Sequence, residues 1–203
     1  MFRFGIPFLI LTMGGPFIVE GAIFSDNFNT ENGGVGVLNY IGFANWTVAD
    51  GTVDLIGNGY FDYQPGYGLY VDMDGSTNNA GKMISSVTIN LVPGVYTLSF
   101  DLAGNQRNTS GDQVVAQVNM GVLLDKTYSL SKTAPFQTFT EMITVSAASS
   151  VQITFEGIGS DNMGMLLDNV KLENAVPEPT TLAIWSALGG LGLIAARRRR
   201  KTA

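Results

Sequence analysis

The residues with most chemistry to offer lie in one short stretch. Gly59-Tyr60-Phe61-Asp62-Tyr63-Gln64-Pro65-Gly66-Tyr67 puts four rings and one carboxylate into nine residues. Aromatic rings offer flat apolar faces against which the C–H face of a sugar packs, and a neighbouring carboxylate accepts hydroxyl protons. Tyr60, Asp62, Tyr63 and Tyr67 are therefore the candidate ligand-binding residues. Tyr40, Phe43, Trp46 and Tyr70 extend the cluster to eight rings within 31 residues. The competing use of such rings is to fill and cover a core. Trp46, inside the strand-like Asn45-Trp46-Thr47-Val48, is expected in that core.

Carboxylates are the second resource. Asp168, Val170 and Leu172 follow at two-residue spacing, so on a strand they share one face. If the apolar pair faces inward, so does Asp168, and a buried carboxylate needs a hydrogen-bonding partner or an ion. Asp72-Met73-Asp74-Gly75-Ser76 begins like an EF-hand loop but lacks the third acidic position and the closing Glu, so it reads as a turn with a capping Asp. Glycoside hydrolysis needs two carboxylates at a working distance. None of the acids is marked out as such a pair, so no catalytic residue is assigned and the chain is expected not to be an enzyme.

Composition narrows the chemistry further. The 203 residues include no Cys and no His. That excludes thiol catalysis, His-based triads, ordinary zinc sites and a disulfide framework. Residues 22–175 carry 15 acidic and five basic side chains, a net charge of −10 within a chain whose total is −6. Such a surface repels phosphate backbones, so nucleic acid is not an expected partner. Acidic loops do suit hard cations such as calcium.

Short strands must position these residues. Tyr96, Leu98, Phe100 and Leu102 alternate with Thr97, Ser99 and Asp101 after the Pro93-Gly94 turn. Val151, Ile153 and Phe155 alternate with Gln152, Thr154 and Glu156. Further strand runs are 53–56, 68–73, 83–91, 114–120, 139–145 and 166–172, and no amphipathic helix stands out. This spacing predicts an all-β antiparallel sandwich or jelly roll.

Trp46 with Val53-Asp54-Leu55-Ile56-Gly57, then Gly68 to Ser76, then Pro93 to Asp101, then Leu166-Leu167-Asp168-Asn169-Val170-Lys171-Leu172 occur in that order. The ordered set resembles the galactose-binding-like jelly rolls, which include many carbohydrate-binding modules. It covers most of residues 24–173. The resemblance implies the fold first and a carbohydrate ligand second. It also implies one structural calcium between the first strand and an Asp near the start of the last. Asp168 matches that Asp, and Asp26 lies in the corresponding N-terminal region.

The two ends read as addresses. Thr181 to Ala196 holds 16 residues without a charge. As a helix it extends roughly 24 Å, slightly short of a hydrocarbon core about 30 Å thick. Local thinning and snorkelling of flanking cations cover the gap. Arg197, Arg198, Arg199, Arg200 and Lys201 follow at once, which places them in the cytoplasm and everything before Val176 outside. A buried core helix rarely ends in five consecutive cations. Pro177-Glu178-Pro179 ahead of the span stays extended and open to a protease. Motif (176–179), span (181–196) and basic end (197–201) together resemble the PEP-CTERM sorting signal of exported bacterial proteins. That resemblance implies processing by an exosortase and a Gram-negative type of envelope. Residues 1–21 resemble a secretory signal peptide with cleavage after Gly21; an uncleaved N-terminal anchor is the alternative.

The expectation is an exported protein with a signal peptide (1–21), one β-sandwich (22–175) and a sorting tail (176–203). It passes the secretion machinery and the inner membrane, then reaches the cell surface or matrix. Its expected role is to bind carbohydrate, self-made exopolysaccharide in particular, without catalysis. A structural matrix or biofilm protein with no defined sugar is the alternative.

Overall fold

The computed structural model describes residues 21–107, 113–159 and 161–175. The expected signal peptide and C-terminal membrane span fall outside these residues. Among the described residues no helix is long and apolar enough to cross a membrane.

The strands are, in chain order, β1 (Phe24–Asp26), β2 (Trp46–Asp50), β3 (Asp54–Gly57), β4 (Leu69–Asp72), β5 (Lys82–Ser85), β6 (Ile89–Leu91) and β7 (Gly94–Ala103). They continue with β8 (Gln113–Asn119), β9 (Asp125–Ser131), β10 (Gln137–Val145), β11 (Ser149–Val151), β12 (Thr154–Ile158) and β13 (Leu166–Asn174). A short 3-10 turn, Glu31–Gly34, lies between β1 and β2. One sheet runs β10-β7-β13-β4-β3, with β1 also on β13; the other runs β2-β5-β12-β8-β9. Strands β6 and β11 form a separate pair. Every pairing between these strands is antiparallel. The expected all-β antiparallel sandwich is what the chain forms.

The core lies between the two sheets. On β7 the alternation holds: Tyr96, Leu98, Phe100 and Leu102 are buried, while Thr97, Ser99 and Asp101 are half-exposed. Phe100 meets Phe155 of the opposite sheet edge-on at 5.2 Å and Tyr128 at 5.3 Å. Trp46 sits in this core as expected, against Phe24 at 5.2 Å and Phe155 at 5.7 Å. Each such side chain contributes about 1.5–3 kcal/mol on burial.

A second apolar layer covers the outer face of the first sheet. Strands β3 and β4 are buried at every position. Continuous burial requires cover on both faces. The cover is the 58–68 loop, which folds back from the end of β3. Ile56, Tyr70, Ala103 and Leu166 are buried there, with Tyr63 and Phe136 packed on them.

Two apolar runs divide where the pattern gives no warning. Residues 83–91 form β5 and β6, which belong to different sheets, and the 151–155 run divides between β11 and β12. The corner is held at Ser85. Its hydroxyl donates to Val87 O at 3.0 Å, and Ile153 N donates to Ser85 Oγ at 3.1 Å.

Candidate functional site

The aromatic loop is strapped at its neck. Gly57 ends β3 at φ +111°, and a Cβ there would lie 2.0 Å from Gly68 O, so only glycine fits. Gly57 N donates to Tyr60 O at 2.8 Å and Tyr60 N donates to Gly57 O at 2.9 Å. Phe61 adopts a left-handed φ of +44°, uncommon for an aromatic residue.

Internal bonds then fix the loop to the sheet. Asp62 Oδ1 accepts from the Tyr70 hydroxyl at 3.1 Å, and Oδ2 accepts from Gly59 N at 3.2 Å. The Tyr70 hydroxyl in turn accepts from Gln64 N at 2.9 Å. Burial pushes the Tyr70 phenol well above its ordinary value, and the Asp62 carboxylate adds to this. The Arg107 guanidinium lies 4.9 Å over the Tyr63 ring. Arg107 is ion-paired with the fully buried Asp72 and donates to Asn162 O at 2.6 Å.

This arrangement divides the predicted residues. Tyr60 and Tyr67 present rings that are 38% and 42% exposed. Tyr63 is half-buried beneath Arg107, and both oxygens of Asp62 serve the loop itself. Phe61, counted among the rings but not among the candidate ligand-binding residues, is 49% exposed and meets Tyr60 edge-on at 4.9 Å. Its signal was its place between Tyr60 and Asp62. Tyr67 leans on Phe136 at 4.7 Å. Phe43 and Tyr70 are buried and Tyr40 is half-buried, so they support rather than present.

Asp26 and Asp168 occupy the other predicted site. Asp168 is 1% exposed but stands opposite Asp101 of β7, so the expected face shared with Val170 and Leu172 is not the one it takes. A bulge at Asn169 puts it on the Asp101 face, while Leu167, Val170 and Leu172 face the core. The ladder slips between Asp168 and Lys171, with Asn169 left-handed at φ +50°. Asn169 N donates to Asp168 Oδ1 at 2.7 Å, and its Nδ2 donates to Asp101 Oδ2 at 2.9 Å and to Asp168 Oδ2 at 3.3 Å. Burial pushes the Asp168 carboxyl up to about 7; the Asn169 N–H opposes this, and the charges of Asp101 and Asp26 reinforce it. Asp26 Oδ1 accepts from Phe28 N at 2.8 Å, and Oδ2 from Trp46 Nε1 at 2.9 Å and Asn45 Nδ2 at 3.1 Å. A cavity of about 360 Å³ opens beside them, lined by Asn27, Thr30, Asn45 and Asn169 among others.

Calcium needs six to eight oxygen ligands. Here N–H donors are aimed at the oxygens of both carboxylates, and among the described residues no three acidic side chains converge as a metal site. A calcium ion at Asp26 and Asp168 would have to share their oxygens with these N–H donors. The donors satisfy these carboxylates, and they fasten β1 and β2 to each other through Trp46.

The cations complete the electrostatics. Each Lys and Arg between residues 22 and 175 is in an ion pair: Lys82–Glu156, Arg107–Asp72, Lys126–Glu141, Lys132–Asp161 and Lys171–Glu173.

Comparison with known proteins adds the C-terminal end. Residues 175–201 match the PEP-CTERM protein-sorting motif. The match contains Pro177, Glu178, Pro179 and Arg197 to Arg200, and it marks the chain for export and exosortase sorting. No curated protein matches the chain. Among solved structures, a CBM61 module in complex with β-1,4-galactotriose is 16% identical, with a TM-score of 0.46 over 66% of this chain and 90% of that one. The CBM22-1 xylan-binding domain from Paenibacillus barcinonensis Xyn10C is 13% identical, with a TM-score of 0.48 over 77% and 96%. A CBM6 module from Cellvibrio mixtus lichenase 5A, in complex with cellotriose, is 13% identical, with a TM-score of 0.41 over 71% and 98%.

Proposed function

We propose that this exported chain is a surface or matrix protein whose sandwich binds an uncharged glycan without catalysis. The observation that carries this reading is the trio of exposed rings, Tyr60, Phe61 and Tyr67, on a loop that internal bonds hold in place. Rings already fixed lose little conformational freedom when a ligand arrives. Asp62 and Tyr63 act as supports beneath them.

Charge supports the choice of an uncharged ligand. Arg107, the cation against Tyr63 of the loop, is committed to Asp72 and Asn162. A net charge of −10 on residues 22–175 repels a polyanion. The carboxylate beneath the loop is held by Tyr70 and Gly59, which leaves it no acid or base role. Self-made exopolysaccharide of neutral composition is the ligand in this reading. The secretion machinery and the inner membrane serve as stations before exosortase processing. A structural matrix role is the second reading, favoured by the uncovered strand edge described below.

Affinity electrophoresis of the full-length protein in non-ionic detergent tests the proposal, in gels containing neutral polymers or their carboxymethyl derivatives. Retardation by a neutral polymer, lost on carboxymethylation, supports it. Retardation by the charged form alone contradicts the ligand class. Free migration through every gel contradicts glycan binding.

A further inference from the structure

Along their main paths the two sheets end in four terminal strands, three of them protected, and β1, a further edge on β13, is only three residues long. Strand β3 is covered by the 35–40 segment. There Val37 N donates to Leu55 O at 2.8 Å, Leu55 N to Val37 O at 3.0 Å, and Tyr40 N to Val53 O at 2.9 Å. Strand β2 is irregular, its register with β5 slipping between Val48 and Asp50. Strand β9 opens with the exposed charges Asp125 and Lys126. Covers, bulges and edge charges are the usual means of preventing edge-to-edge pairing.

Among the described residues strand β10 has neither cover nor bulge. It pairs with β7 through nine consecutive residues, Gln137 to Val145, without a slip. It contains no Pro, Gly or Lys. Alternate residues of an antiparallel strand turn their N–H and C=O groups away from the partner, and among the described residues the ladder of β10 joins β7 alone. The free edge runs roughly 30 Å at about 3.4 Å per residue. Its outward row is Thr138, Thr140, Met142 and Thr144, with Met142 76% exposed. Residues of this kind favour cross-strand pairs.

Charge selects the same place. Two copies of a domain of net charge −10 repel over most of their surface. The single ionisable group of β10, Glu141, has its Oε1 bound by Lys126 Nζ at 2.5 Å and by the Tyr128 hydroxyl at 2.7 Å. Glu141 is thus neutralised, and the carboxylate bonded to the row, Asp101 accepting from Thr138 Oγ1 at 2.6 Å, lies beside the start of β10.

The geometry points to β10 as the site where two copies of this chain pair, antiparallel about a twofold axis, so that their sheets become one. An antiparallel edge is complementary to itself under a twofold axis, and the dimer it makes is closed. This inference does not depend on the glycan reading.

Sedimentation of the full-length protein in non-ionic detergent, over a concentration series, is the test. The expected result is a mass of two copies for the wild type and of one copy for Thr140→Lys combined with Met142→Lys, with unchanged thermal unfolding. A wild type that stays monomeric at every concentration overturns the proposal, as does a dimer that survives the substitutions. Should the variant not fold, hydrogen exchange on the wild type decides. Amides of residues 137–145 must gain protection as concentration rises while those of β9 do not; protection independent of concentration overturns it.

Discussion

Arg107 covers the Tyr63 ring at 4.9 Å while its guanidinium pairs with Asp72, a residue with no exposed surface. One side chain thus neutralises a buried charge at the end of β4 and holds down the loop that leaves the start of β4. Replacing Arg107 by Met strands Asp72 without its cation. A loss of about 3–5 kcal/mol is expected, read from the denaturant midpoint. Adding Asp72→Asn should restore most of it. If the single variant is as stable as the wild type, the pair does not hold this corner.

The Tyr70 hydroxyl joins the loop to the sheet at two points, Asp62 and Gln64. Tyr70→Phe keeps the buried ring and deletes both bonds. The expected cost is about 1–3 kcal/mol, with faster amide exchange at residues 59–67. Unchanged exchange would show that the loop is held by its rings alone.

Asp168 makes stability depend on pH. In the unfolded chain its carboxyl titrates near 4; in the folded protein burial raises it to about 7. The folded state therefore holds the proton more tightly. Its contribution to stability is greatest at acid pH, falls as pH rises from about 4 to about 7, and is level beyond. Asp168→Asn keeps the acceptor for Asn169 N and removes the charge. The variant should be more stable than the wild type above neutral pH, by at most a few kcal/mol, with a flatter profile. A variant that loses stability at alkaline pH would contradict this account of the site.

The same geometry predicts indifference to calcium. With Asp26 satisfied by Phe28 N, Asn45 and Trp46, and Asp168 by Asn169, the melting temperature should not differ between calcium and a chelator. A calcium-dependent rise that Asp168→Asn abolishes would place an ion there after all.

Much of the sandwich was legible because its strands alternate in the open. Tyr96 to Leu102 declares its two faces residue by residue, whereas in Leu166 to Leu172 the bulge at Asn169 interrupts the alternation. Strand β9 escaped notice because Asp125 to Ser131 carries only Tyr128 and Leu130 as apolar residues. The splits at Ser85 and Gln152 were invisible because apolar residues continue on both sides of each corner. What turns the chain there is a tertiary bond between Ser85 and Ile153. At the loop, composition identified the rings but not their division. Tyr63 is covered by an arginine far along the chain, whereas Phe61 is exposed by a backbone conformation that no local pattern announces. For Asp168, alternation predicted the face of Val170 and Leu172, but the bulge at Asn169 puts the carboxylate on the opposite face, beside Asp101. The satisfied state of Asp26 depended on the indole N–H of Trp46, a partner from the next strand.

The exposed rings are the centre of the functional account, and truncating them is its most direct test. The full-length protein and the variants Tyr60→Ala, Tyr67→Ala and the double Tyr60→Ala/Tyr67→Ala should be run through gels of increasing neutral-polysaccharide concentration. Each truncation is expected to weaken retardation roughly tenfold, about 1.4 kcal/mol, and the double variant to migrate freely, with thermal unfolding otherwise preserved. Retardation of the double variant equal to that of the wild type would contradict the account.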